Sequence, residues 1–156
     1  MKRLWLLCLL IGLALSMPII VSGQKIAKID CNSPAYLPDP SWKVLDDSQA
    51  GTFIFNQATV RLITLTSPRS QEKGEIFGEK MKLSPCHANV LDYLLAHQEL
   101  IPESWRDKII IFTGTVYGDP AGNRLFRTMI YWNGSWDWSR CYFEELYENC
   151  AAIVAN

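Results

Sequence analysis

Cys86 and His87 stand side by side, and a thiol next to an imidazole is the raw material of a nucleophile and its general base. Adjacent residues near a helix start diverge in direction, however, and no third group is placed to orient the imidazole. A disulfide-bonded or buried Cys86 and a surface His87 are the more economical reading. A small hydrolytic enzyme using Cys86 with His87 or His97 stands as the alternative function. Glu144-Glu145 and Asp46-Asp47 are neighbouring acids. A glycosidase needs two carboxyls set across a cleft at about 5–9.5 Å, which adjacency in sequence does not provide, so both pairs read as solvated faces. No glycine-rich phosphate loop, Gly-x-Ser-x-Gly elbow or His-Glu-x-x-His pair occurs. No catalytic residue is assigned on these grounds, and no cofactor is implied.

The aromatic cluster Tyr131, Trp132, Trp136 and Trp138 is the feature best suited to binding. Aromatic faces stack on sugars, on cations or on a partner's apolar surface. Strand alternation sends Tyr131, Trp136 and Trp138 to one side, where burial in a core is their ordinary fate. Trp132 falls on the opposite, mixed face with Thr128, Ile130 and Asp137. These four residues are the expected contact surface of a non-catalytic binding domain, for an envelope glycan or protein. Arg127 and Arg140, paired at one end of the core face, are expected as rim charges or as cation–π partners of Trp138.

Four cysteines lie beyond residue 23: Cys31, Cys86, Cys141 and Cys150. An even number in an exported chain suggests up to two disulfides among them, with three connectivities open. On one continuous helix Cys141 and Cys150 would be roughly 13.5 Å apart, too far for a bridge, so that pair requires the helix to begin after Cys141. Zinc is the sharper reading, but there is no Cys-x-x-Cys pair and the histidines are not at ligand spacing, so no metal site is expected.

The address is written in residues 1–23. Met1-Lys2-Arg3 is a basic start, Leu4 to Val21 is an apolar run broken only by Gly12, Ser16 and Pro18, and Val21-Ser22-Gly23 supplies small residues for cleavage. That order reads as a secretory signal peptide, with the mature chain beginning at Gln24 and a secreted, periplasmic or envelope location. The rival is an uncleaved membrane anchor. The run of about 18 residues barely spans a bilayer core, and Pro18 disfavours a persistent helix. The remaining 133 residues make one domain with a real core. Lys2 and Arg3 leave with the leader, so 13 basic residues face 16 acidic ones, a net charge near −3. That is no footprint for nucleic acid.

The elements that must position these residues follow from periodicity and turn chemistry. Residues 24–40 hold Pro34, Pro38 and Pro40 and read as an extended lead-in to a single domain at 41–156. Strand-like runs occupy Ser41–Asp46, Thr52–Asn56 and Ala58–Thr66. Ser84-Pro85 starts a helix of about 85–97, with Val90, Leu91, Leu94 and Leu95 as its apolar stripe and Pro102 blocking continuation. Residues 108–117, 124–132 and 135–140 form a three-stranded antiparallel meander, with Asn133-Gly134 as a type I′ turn. The turn pairs Tyr131 with Trp136, Met129 with Trp138 and Arg127 with Arg140. Across the longer loop, Tyr117 opposes Arg124, Val116 opposes Leu125, Phe112 opposes Met129 and Ile110 opposes Tyr131. One face then collects Ile110, Phe112, Val116, Leu125, Met129, Tyr131, Trp136 and Trp138 under the helix. In the tail, Phe143, Leu146, Tyr147 and Cys150 fall at helical spacing and predict a second, C-terminal helix. The fold class expected is α+β, an antiparallel sheet containing the meander and packed with two helices.

Residues 89–138 resemble a family of short uncharacterised bacterial proteins found mostly in candidate-phylum genomes. The matching segments are Asn89-Val90-Leu91-Asp92-Tyr93-Leu94-Leu95-Ala96-His97 and Glu99-Leu100-Ile101-Pro102-Glu103-Ser104-Trp105. They continue in Gly114-Thr115-Val116-Tyr117 and in Tyr131-Trp132-Asn133-Gly134-Ser135-Trp136-Asp137-Trp138. Where relatives tend to carry Phe-Trp-Gly-Thr, this chain has Phe112-Thr113-Gly114-Thr115. The resemblance implies one domain and brings no activity that transfers to these residues.

Overall fold

The structure is a computed structural model, and it describes residues 25–47, 51–65, 86–143 and 150–154. The expected leader, the Ser84-Pro85 helix start and the Glu144-Glu145 pair lie outside the described residues. Nine strands and one α-helix are described: β1 Ile26–Asp30, β2 Lys43–Asp47, β3 Thr52–Asn56, β4 Arg61–Thr64, α1 Ala88–Ala96, β5 Ile109–Ile111, β6 Thr115–Gly118, β7 Arg124–Trp132, β8 Ser135–Tyr142 and β9 Cys150–Val154. The described part is therefore mostly β, and its main sheet curls into a half-barrel. No described helix is long and apolar enough to cross a membrane.

The lead-in is more than a connector. β1 sits inside it and pairs antiparallel with β3, setting Ala27 against Phe55 and Ile29 against Phe53. Both strands alternate buried and exposed residues, the mark of a two-stranded sheet with one wet face. The main sheet runs in the order β2-β6-β7-β5-β9-β4, with β8 on the other side of β7.

The β7–β8 hairpin forms in the expected register: Tyr131 opposes Trp136, Met129 opposes Trp138 and Arg127 opposes Arg140. Asn133 and Gly134 both take positive φ, 50° and 88°, as a type I′ turn requires. The strand expected at 108–117 is instead two strands, because Phe112-Thr113-Gly114 leaves the ladder. Ile110 pairs with Met129, two residues from the expected register, and Tyr117 pairs with Leu125, one residue from it. A two-residue offset keeps a side chain on its face, whereas a one-residue offset reverses it. Ile110 and Phe112 accordingly stay under the helix, while Val116 joins the opposite core and Tyr117 takes the helix side.

Gly114 explains the break. Its N–H donates to the Cys86 carbonyl at 2.9 Å, and a Cβ there would lie 2.8 Å from the Cys86 carbonyl carbon and the His87 nitrogen. Only a residue without a side chain lets the segment leading into α1 lie against the sheet.

The predicted C-terminal helix is overturned where the structure describes it, because residues 150–154 form β9. This strand pairs antiparallel with β4 and parallel with β5, so the sheet is mixed. β9 lies between two neighbours, and Cys150, Ala151, Ala152 and Ile153 are all buried. A strand covered on both faces loses alternation, and a short apolar run cannot be told from a helix by period alone.

Two cores flank the sheet. Val90, Leu91 and Leu94 of α1 pack on Phe112, Met129, Trp136 and Ile153, with Phe53, Phe55 and Trp105 closing the cluster. On the other face the curl of the sheet buries Leu65, Ile111, Val116, Phe126, Cys141, Cys150 and Ala152 together.

Candidate functional site

The thiol–imidazole pair is built for structure. α1 as described begins at Ala88 with His87 as its N-cap, three residues later than the Ser84-Pro85 reading places it. His87 Nδ1 accepts the Asn89 N–H at 3.0 Å, and Thr115 Oγ1 accepts the Ala88 N–H at 3.1 Å. Two of the helix's orphan donors are thereby satisfied. An accepting Nδ1 puts the ring proton on Nε2. Asp47 Oδ1 lies 2.6 Å from Nε2, off the N–H direction, and also accepts from Thr115 Oγ1 at 3.1 Å. The imidazole is buried, one nitrogen is committed to the backbone, and the other abuts a carboxylate. It has no free nitrogen with which to act as a base. The expectation of a surface His87 is corrected by this cap.

Cys86 is fully buried, and its thiol is pushed well above the usual range first by that burial and then by neighbouring Cys31. A nucleophilic cysteine needs the reverse, an exposed and stabilised thiolate. His97 is at the far end of α1, roughly 16 Å away along the helix axis. There it stacks on Tyr93 with ring centroids 4.4 Å apart and approaches Glu99 at 3.6 Å.

Among the described residues no disulfide joins Cys31, Cys86, Cys141 and Cys150, and all four side chains are buried. Cys31 and Cys86 lie in the helix-side core and Cys141 and Cys150 in the opposite one. β7 and β5 separate Cys141 on β8 from Cys150 on β9.

The expected contact surface is divided. Trp132 is 68% exposed at the hairpin tip, Asp137 is exposed, and Ile130 between them is half-buried. Thr128 is only 1% exposed and its hydroxyl has no hydrogen-bond partner, so it leaves the surface. It shares its face with Phe126, and the curl of the sheet covers that end of the strand. Trp136 is buried as expected, whereas Trp138 is 38% exposed and Tyr131 half-buried.

A further constellation escaped sequence reading. Arg127 is buried, not a rim charge, and donates from Nη1 and Nη2 to the two carboxylate oxygens of Asp92 at 2.9 and 2.7 Å. Its guanidinium carbon lies 5.4 Å from the Tyr36 ring centroid and 5.5 Å from that of Trp138. Burial works against its charge, but the hydrogen bonds and field of Asp92 outweigh that and hold it more firmly protonated than usual. The hydroxyl of buried Tyr117 donates to the Tyr36 carbonyl at 3.2 Å. The cation–π contact between Arg127 and Trp138 was legible from strand register, but Asp92 and Tyr36 come from a helix and a loop that no local spacing links to β7.

Among the described residues no group of three His, Cys, Asp or Glu side chains is placed to hold a metal ion. No family model, curated protein or solved structure matches this chain, so its function has to be read from its own residues.

Proposed function

We propose that this chain is a non-catalytic binding domain, exported by its N-terminal leader to the envelope or secreted fraction, that meets a glycan or protein partner through the tip of the β7–β8 hairpin. The observation that carries this reading is Trp132: a large aromatic side chain 68% exposed beside a tight turn on the longest strand of the sheet. An exposed Trp on a rigid hairpin supplies contact area at little entropic cost, and Trp is over-represented among interface hot spots. Ile130 adds an apolar edge and Asp137 a hydrogen-bonding rim. The resemblance to short bacterial proteins belongs to the same proposal and adds no mechanism.

The hydrolytic alternative loses ground to the burial of Cys86 and of His87, whose Nδ1 is committed to the helix cap. Capture of a partner from envelope extract by mature protein, repeated with Trp132→Ala and Cys86→Ala, separates the two. Binding that survives Cys86→Ala and is lost in a folded Trp132→Ala supports the hairpin tip. Capture unchanged in Trp132→Ala overturns it.

A further inference from the structure

We propose a second site on the opposite face of the β7–β8 hairpin, where Tyr36, Trp138 and Asp92 surround buried Arg127, and that it takes a neutral oligosaccharide. Tyr36 and Trp138 both lie against one guanidinium, yet they remain 60% and 38% exposed. Two partly open aromatic rings thus lie over one buried guanidinium. Their positions are set from beneath. Trp42 packs edge-on against Trp138 with centroids 6.5 Å apart and tilted against Tyr117 at 5.8 Å, and the Tyr117 hydroxyl ties down the Tyr36 backbone. Little ordering remains to be lost on binding.

The polar floor decides the ligand class. Arg127 is 1% exposed and its charge is compensated by the two-pronged contact with Asp92, so neither an anion nor a cation finds an unmatched charge. The Asp92 side chain is nevertheless 36% exposed, and each of its oxygens accepts one bond from Arg127. A carboxylate has about four acceptor positions, so lone pairs held in fixed directions remain for hydroxyl donors. Apolar ring faces next to oriented acceptors match a pyranose, with one C–H face to stack and hydroxyls at its rim.

Mature protein is titrated with soluble neutral hexasaccharides (cellohexaose, fully N-acetylated chitohexaose, maltohexaose and mannohexaose) and with hexagalacturonate as the anionic counterpart, followed by amide and indole NMR shifts. The expected result is saturable shifts at Trp138 and around Asp92 with at least one neutral sugar and none with hexagalacturonate. Tyr36→Ala removes an exposed ring and leaves the carbonyl that Tyr117 uses, and it should weaken binding roughly tenfold or more. Trp138→Ala should do the same, and Trp132→Ala should leave this binding unchanged, so failure at the hairpin tip and failure here are told apart. No shifts with any neutral sugar, shifts confined to other surfaces, a preference for hexagalacturonate, or unaltered affinity in folded Tyr36→Ala would each overturn the proposal.

Discussion

The side-chain amide of Gln98 pairs with the backbone of Trp136 in both directions: Nε2 donates to the Trp136 carbonyl at 3.1 Å, and Oε1 accepts the Trp136 N–H at 3.2 Å. In a two-residue hairpin closed by Trp132 and Ser135, the backbone groups of Trp136 and Trp138 point away from β7. Among the described residues β8 is thus an edge strand, and Gln98 occupies the place of a neighbouring strand at one residue. Asp137 Oδ1 covers the next outward N–H, that of Trp138, at 2.7 Å. An eight-residue edge rich in aromatics would otherwise invite pairing with another chain. Gln98→Ala should cost about 1–2 kcal/mol for two neutral hydrogen bonds. It should also speed hydrogen exchange at the Trp136 amide and promote self-association. Unchanged protection of that amide would count against this role for Gln98.

The Arg127–Asp92 pair is expected to be costly to break and inexpensive to replace. Removing one partner leaves a charge buried, and for a fully buried pair that costs about 3–5 kcal/mol. Asp92→Ala strands Arg127, which is the buried member of the pair, and should cost about 3–5 kcal/mol in urea denaturation. The double change Arg127→Met with Asp92→Leu should recover much of that loss. A double variant no more stable than Asp92→Ala would mean that the pair also organises the lead-in loop over β7.

Tyr117 should set part of the alkaline limit of stability. Burial pushes its hydroxyl up to about 12, against an ordinary value near 10, with Arg127 opposing the rise. A group whose pKa is raised by folding gives stability that is full below its unfolded value and lost as pH climbs through its folded one. The loss should therefore run between about pH 10 and 12. Tyr117→Phe should be less stable at neutral pH, for want of the bond to Tyr36, but fall less steeply across that window. Parallel stability curves for the two proteins would refute the assignment.

The four cysteines beyond residue 23 should be silent toward a thiol reagent in the native state. All four are buried, and burial raises both Cys31 and Cys86 above the usual thiol range. Reaction should proceed only at the rate of unfolding and reach all four thiols in denaturant. A rapidly labelled Cys86 in native protein would restore the hydrolytic alternative.

Local chemistry alone determined the β7–β8 hairpin, because Asn133-Gly134 admits a turn of one type and that turn dictates every pairing beyond it. It also determined α1 and its inward stripe, since Val90, Leu91 and Leu94 recur at helical spacing and Pro102 blocks continuation. Long-range contact decided the rest. The approach of the Cys86 backbone to Gly114 split one expected strand into β5 and β6, and the one-residue offset that followed exchanged Val116 for Tyr117 beneath the helix. Burial on both faces turned residues 150–154 into an interior strand whose pattern carries no period. Curvature of the sheet hid Thr128 but left Trp132 in water, although both lie on one face of one strand. The Arg127–Asp92 pair, 35 residues apart in sequence, exists only because α1 packs across β7. Side-chain period and turn type are set by neighbours along the chain, whereas sheet curl, strand partners and buried charge pairs depend on which distant surfaces meet.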